Sequence, residues 1–365
     1  MRVVVKVGTS SLTHGDGSLN ATMFESLAAQ ISELAANSHE VVLVTSGAVA
    51  AGVAALGLTE RPADIGTLQA LAAIGQSRLM ERYNTVFAPY GIVTGQVLLV
   101  PHDFGDRQQY LHARQTLVRL LELRVVPIIN ENDAIANDEI RFGDNDRIAA
   151  LVAHSIAADV LVLLTDQEGL YNKDPRQHAD AQLIPTVTPD DDLLSVSAGS
   201  AGTARGSGGM ASKLSAARIA SWSGIRTVIA RAARDKVLVD AVKATPGVGT
   251  SFLGRDRNLS ARRLWIAFAA QAEGVVTIDS GAVGAIETRG TSLLSPGVTA
   301  FEGTFEAGAV VDIIDQAGQV VARGACSMSS NELSAIRGRR TADLPDGASS
   351  LVVHRDEMVV LSAMR

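Results

Sequence analysis

Cysteine is nearly missing from this chain. Cys326 is the only one in 365 residues, which excludes an intramolecular disulfide and a thiolate zinc cluster and fits a reducing compartment. Aromatic residues are also scarce, at 4% with two tryptophans, so little is available to build a stacking platform for single-stranded nucleic acid. Positive charge is not in excess: 32 Lys and Arg face 39 Asp and Glu, a net charge of −7, which disfavours a general nucleic-acid or membrane-surface binder. No apolar run approaches the roughly 20 residues that span a bilayer, and the first ten residues read as a strand and not as a signal peptide. The expected location is therefore the cytoplasm, without an anchor. The seven histidines (14, 39, 102, 112, 154, 178 and 354) form no HExxH or similar ligand spacing. No G-x-S-x-G elbow is present, and no Walker A loop, because Ser212 stands where a glycine would precede Lys213.

Apolar residues make up 47% and charged residues 19%, enough for two domains with separate cores. Through the first two thirds, apolar runs alternate with helix-compatible segments. "RVVVKV" precedes "ATMFESLAAQISELAANS", with Phe24, Leu27, Ala28, Ile31 and Leu34 at helical spacing. Then follow "EVVLVTSGAVAAG", "GIVTGQVLLV", "VVPIIN", "DVLVLLTD" and "IRTVIA". This rhythm predicts an α/β fold, a mainly parallel sheet sandwiched by helices. Ligands of such sheets sit beyond the carboxyl ends of the strands. Lys6-Val7-Gly8-Thr9, Thr45-Ser46-Gly47 and Thr165-Asp166 fall there. From about Gly274 the pattern becomes short alternating segments with glycine-containing turns, including a hairpin at Asp315–Gly318 and one short capped helix in "SSNELSAIRG". We read residues 1–258 as the first domain, 259–273 as a linker, and 274–365 as a small β-rich domain.

Four stretches carry chemistry. Lys6 stands inside a valine strand, where an ammonium without a partner loses several kcal/mol of hydration or gives up its charge. It either reaches water or meets an anion at the strand's end. "GSGGMASKLSAARIA" places glycines ahead of a helix with Lys213 in its first turn. Free N–H groups and the positive end of the helix dipole make such a start a phosphate cradle. A glycine cluster alone also fits a flexible loop beside a surface lysine, and the upstream chemistry favours the cradle. "NENDAIANDEIRFGDNDRIAALVA" gathers Asn130, Asp133, Asn145 and Asp146 near the ligand edge, with Asp144 or Asn145 as cap of a helix starting at Arg147. "LLTDQEGLYNKDP" ends a strand at Thr165-Asp166.

In this order, "VVKVGTSSLT", "VTSGAVAAG", "GQSRLM", "GQVLL", "VVPIINENDAIA", "EIRFGDND", "LVLLTDQEGLY" and "GSGGMASK" resemble the amino acid kinase family. The tail, with "SLLSPGVTAFEGTFEAGAVVDI" and "SSNELSAIRG", resembles a PUA domain. The likeness spans essentially the whole chain. It is closest to the members that use ATP to phosphorylate the side-chain carboxylate of L-glutamate, the first step of proline biosynthesis. The resemblance implies nucleotide contacts at Lys6, Thr165 and Asp166, and along Ser207, Gly208, Gly209, Met210, Ala211, Ser212 and Lys213. It implies glutamate contacts at Ser46, Asn130, Asp133 and Asn145, and catalytic roles for Lys6, Lys213 and Asp146. Ser207 stands where threonine is usual, which keeps the hydroxyl. The resemblance further implies Mg²⁺ held mainly by the nucleotide phosphates without a dedicated protein site, feedback inhibition by L-proline, a homo-oligomer (dimer or tetramer), and glutamate 5-phosphate reductase as a transient partner.

Alternatives within the family are kinases of acetylglutamate or aspartate; outside it, an RNA-binding protein acting through the tail. From Gly274 to Arg365 eleven acidic residues outnumber seven basic ones, a net charge of −4, which disfavours a broad phosphate-binding surface. The cluster Arg337, Arg339 and Arg340 is the one obvious basic patch.

Overall fold

In the computed structural model, the valine run forms strand β1 (Arg2–Val7), in which all but Arg2 are buried. β1 lies at the centre of an eight-stranded sheet with β2 (Glu40–Val44), β3 (Thr94–Leu99), β4 (Val126–Glu131), β5 (Val160–Thr165), β6 (Thr186–Val187), β7 (Arg226–Arg231) and β8 (Thr250–Phe252), in the order β3-β4-β2-β1-β5-β7-β8-β6. The pairs from β3 through β7 are parallel, and β8 runs antiparallel to β7. The structure describes residues 1–104, 106–135, 145–189, 191, 209–255, 260–270, 272–344 and 349–361. It divides into two units, Met1–Asp103 with Arg107–Asn258, and Phe104–Asp106 with Leu259–Arg365.

In the first unit the connections are α1 (Thr9–Leu12), α2 (Ala21–Ala36), α3 (Ala48–Ala55), α4 (Ile65–Phe87), α5 (Arg107–Glu122), α6 (Asn145–Ser155), α7 (Met210–Trp222) and α8 (Val237–Val242). α2 buries the expected stripe of Phe24, Leu27, Ala28, Ile31 and Leu34 against the sheet, and Asn20 caps it by accepting from the Met23 amide. Phe24 packs on Tyr83 of α4 with ring centroids 4.8 Å apart. The run "EVVLVTSGAVAAG" divides: β2 ends at Val44, and α3 begins at Ala48. Gly47 makes that sharp turn with φ +97°, a conformation that costs glycine little. α3 then lies against α4 at close range. A Cβ on Gly52 or Gly75 would collide with the backbone of Leu71 or Ala48, respectively, so both glycines are needed for the approach.

The second unit is built on a six-stranded sheet, β10-β14-β13-β12-β9-β11, from β9 (Gly274–Ile278), β10 (Leu293–Leu294), β11 (Val298–Glu302), β12 (Val310–Ile314), β13 (Val320–Cys326) and β14 (Leu351–Val360), with helices α9 (Ala261–Leu264), α10 (Ser280–Arg289) and α11 (Ser330–Ile336). The predicted hairpin joins β12 to β13, with Gly318 at φ +79°. α11 carries a complete capping box between Ser329 and Glu332. The expected single helix is corrected: "SGAVGAIETR" is helical as well, because Asp279 caps it by accepting from the Ala282 amide. Gly281 and Gly284 obscure that helix in the sequence. No helix among the described residues is long and apolar enough to cross a membrane.

Candidate active site

Lys6 does not reach water. It is 3% exposed, and its Nζ lies 2.9 Å from Oδ1 of Asp146. Its strand neighbours are Val44 of β2 and Leu163 of β5, so the ammonium issues from the middle of the sheet near its carboxyl edge. Asp146 is in the first turn of α6, where the helix dipole favours a carboxylate. Its other oxygen, Oδ2, accepts from Lys213 Nζ at 3.1 Å and from Ser212 Oγ at 2.5 Å. Lys213 is 5% exposed and sits in the first turn of α7, the end that disfavours a cation. Helix stability gives no reason for a lysine there, and an anionic ligand does. Burial pushes the Asp146 carboxyl up, but Lys6, Lys213 and Ser212 together hold it below the usual carboxylate range.

A second set of polar groups lies where β2 and β4 end. Of the two expected caps, Asp144 or Asn145, the second is the first residue of α6 itself, and it ties the ends of two strands together. Its Oδ1 accepts from the Glu131 amide at 3.0 Å, and its Nδ2 donates to Ser46 Oγ at 3.1 Å. Asp144 lies outside the described residues. Thr45 Oγ1 and the buried Tyr83 hydroxyl, 2.7 Å apart, fix the end of β2 from below. Asn130 donates to Gln76 Oε1 at 2.9 Å. Asp133, which follows β4, is buried, and desolvation raises its pKa to about 6 against the lowering effect of Arg61. Asn130 Oδ1, Gln76 Nε2 and Asp133 Oδ1 are buried without a hydrogen-bond partner among the described residues.

These groups surround two cavities. The larger, about 630 Å³, has Lys6, Lys213, Ser46, Asn145 and Asp133 in its wall, with Thr165 and Asp166 at the end of β5 and Gly209 and Met210 at the start of α7. The smaller, about 260 Å³, is lined by Gln76 and again by Asp133. Asp146 and Asn130 stand behind the walls as supports, Ser212 through its bond to Asp146. Ala211 is exposed on α7. Ser207 and Gly208 lie outside the described residues. Sequence reasoning missed Asp16 and Arg61, which border the larger cavity, and Gln76, which was inside the quoted "GQSRLM" but was not singled out. No signal marked the first two. Gln76 could have been suspected as a polar residue in the buried stripe Leu68, Leu71, Ala72, Gly75, Leu79 and Tyr83 of α4.

A parallel sheet and the start of helix α7 that together present two buried lysines to a nucleotide-sized cavity suit phosphoryl transfer. The chain belongs to the amino acid kinase family, whose family model matches residues 1–231, and it carries a PUA domain at residues 274–347. Among curated relatives, the glutamate 5-kinase of Caldanaerobacter subterraneus subsp. tengcongensis is 46% identical over 365 residues, covering 99% of this chain and 98% of the relative. The glutamate 5-kinase of Nocardia farcinica is 46% identical over 357 residues, covering 98% and 96%. A solved carbamate kinase from Giardia lamblia bound to AMP-PNP is similar in fold, with a TM-score of 0.50 at 15% identity over 70% of this chain and 98% of that one.

Proposed function

We propose that the chain transfers the γ-phosphoryl group of ATP to the side-chain carboxylate of L-glutamate, giving ADP and L-glutamyl 5-phosphate. The observation that carries this reading is the pair Lys6 and Lys213 held on one carboxylate, Asp146, in the wall of a cavity that also contains Ser46, Asn145 and Asp133.

The chemistry follows from charge. A side-chain carboxylate with pKa near 4.3 is ionised at neutral pH, so the nucleophile needs no general base. The obstacle is repulsion: two unit charges 4 Å apart cost about 4 kcal/mol at an effective dielectric near 20. Lys6 and Lys213 offset it and stabilise the equatorial oxygens of the phosphoryl group in flight, while Asp146 keeps both ammoniums in place between turnovers. Thr165, Asp166, Ser207, Gly208, Gly209 and the start of α7 as far as Lys213 hold the nucleotide. Asn145 Nδ2 already donates to Ser46 Oγ, which leaves the Ser46 hydroxyl proton for a carboxylate oxygen of the substrate. Buried Asp133 accepts from the α-ammonium, with the Asn130 oxygen behind it as a second acceptor. An N-acetylated substrate would leave Asp133 facing an amide, at a cost of about 1–3 kcal/mol.

Mg²⁺ neutralises phosphate charge when bound with the nucleotide. Among the described residues no group of three or more His, Cys, Asp and Glu could cage a metal, and we assign the ion to the nucleotide phosphates, its common mode. In the same reading residues 1–258 hold both substrates, 259–273 link, and 274–365 form the PUA-like domain. The enzyme acts in the cytoplasm as a homo-oligomer, under feedback by L-proline, and passes its labile product to glutamate 5-phosphate reductase.

The test is incubation with Mg-ATP, a panel of amino acids and hydroxylamine, which traps an acyl phosphate as its hydroxamate. Hydroxamate from glutamate, and not from aspartate or N-acetylglutamate, is the expected result. Turnover of N-acetylglutamate in its place would overturn the reading.

A further inference from the structure

Among the described residues, three buried polar atoms around the end of β4 have no hydrogen-bond partner: Asn130 Oδ1, Asp133 Oδ1 and, from the neighbouring α4, Gln76 Nε2. Their residues are 1%, 9% and 8% exposed, so water does not readily satisfy them. Each such atom costs about 1–3 kcal/mol when left unpaired, and native proteins keep few without a reason. Two are acceptors and one is a donor. The Asn130–Gln76 bond, Nδ2 to Oε1 at 2.9 Å, fixes this polarity by using the other half of each amide. An acceptor pair beside a lone donor matches the ammonium and carboxylate of an amino acid head group.

Position decides which carboxylate meets the donor. The reacting carboxylate must lie by Lys6 and Lys213 in the larger cavity. Gln76 lines the smaller one instead, and Asp133 borders both. With the ammonium at Asp133, the reacting end points one way and the α-carboxylate the other, toward Gln76. We infer that Gln76 is a specificity-determining residue whose Nε2 donates to the α-carboxylate of the acceptor, so that the site selects a complete amino acid over a simple γ-carboxylate. The assignment rests on the glutamate reaction proposed above.

The experiment compares Gln76→Leu with the unaltered enzyme, using L-glutamate as substrate and 4-aminobutyrate, which is glutamate without its α-carboxylate, as alternative substrate or competitor. Losing a hydrogen bond to a charged group raises the glutamate KM about tenfold or more. The ATP KM should stay within about twofold, and the KM or Ki of 4-aminobutyrate should not change, so discrimination between the two compounds narrows. Gln76→Glu, which sets a second carboxylate against the first, should raise the glutamate KM further than Gln76→Leu. An equal loss toward both compounds, a parallel rise in the ATP KM, or an unchanged glutamate KM would overturn the assignment. Should 4-aminobutyrate prove too weak to measure, the split between the glutamate and ATP KM values and the order of the two variants decide the matter. Failure of the unaltered enzyme to form hydroxamate from glutamate would instead reject the underlying reaction.

Discussion

Lys6 and Lys213, from opposite ends of the first unit's sequence, share the two oxygens of one buried carboxylate, at 2.9 and 3.1 Å. Two like charges side by side are costly unless something anionic uses them, and this arrangement keeps both ready for a phosphoryl group. Lys6→Ala and Lys213→Ala should each lower kcat by about 10²–10³, the usual effect of removing one preorganised transition-state donor. Their ATP KM values should change much less. Steady-state kinetics on folded variants checks this, and unchanged turnover in either variant would remove that lysine from the mechanism.

Asp146→Asn tests the support rather than the contact. Removing the charge of a buried partner costs about 3–5 kcal/mol, because two ammoniums then face each other without a counter-charge. A lower Tm in thermal unfolding, together with a loss of kcat, is expected. The pH dependence has a definite sign. Asp146 is held below its ordinary range, so its stabilisation is present above the unfolded carboxylate pKa and is lost as pH falls through the lowered folded value.

Asp133 behaves in the opposite way. Burial raises its pKa to about 6, so the carboxylate needed for the ammonium is protonated as pH falls. The glutamate kcat/KM should therefore decline below about pH 6, while the ATP KM stays level; Asp133→Asn should raise the glutamate KM and abolish that inflection. For stability, the raised pKa contributes below the unfolded value and is lost as pH rises through about 6. Asp133→Asn should thus be more stable than the unaltered protein at pH 7.5 without ligand, by roughly 3 kcal/mol. Equal rises in both KM values would place Asp133 outside the substrate site.

Gly75→Ala probes how the scaffold sets the site. The added Cβ would strike the Ala48 carbonyl in the first turn of α3, forcing apart α3 and the helix that carries Gln76. Overpacking of this kind costs about 1–3 kcal/mol, read as a fall in Tm. The glutamate KM should rise with it, because Ala48 follows Ser46 and Gly47.

The parallel sheet was legible because each buried strand is a short valine- or leucine-rich run, and its ligand edge was legible because Lys6, Ser46, Asn130 and Thr165 all close such runs. β6 and β8 escaped notice, being two and three residues long, too short for any period to show. α10 escaped because its glycines hide a helix that an aspartate cap starts. Within the site, Lys6 announced itself by being out of place in a valine strand, whereas Asp16 and Arg61, equally charged, stand in polar stretches that marked nothing. Asn145 was legible as a residue of the ligand edge, but only the fold shows that it joins Ser46 to the Glu131 amide. Gln76 shows in the sequence only as a polar residue within the buried stripe of α4, which hints at a role but not at the donor left without a partner among the described residues.

The most direct test is a crystal structure with Mg²⁺, ADP, glutamate and a planar fluoride mimic of the transferred phosphoryl group. Both Lys6 Nζ and Lys213 Nζ should lie within about 3 Å of the mimic's equatorial fluorides, on either side of the line from ADP to the glutamate γ-carboxylate. Either ammonium turned away from that group, or glutamate bound with its α-carboxylate toward the nucleotide, would contradict the account.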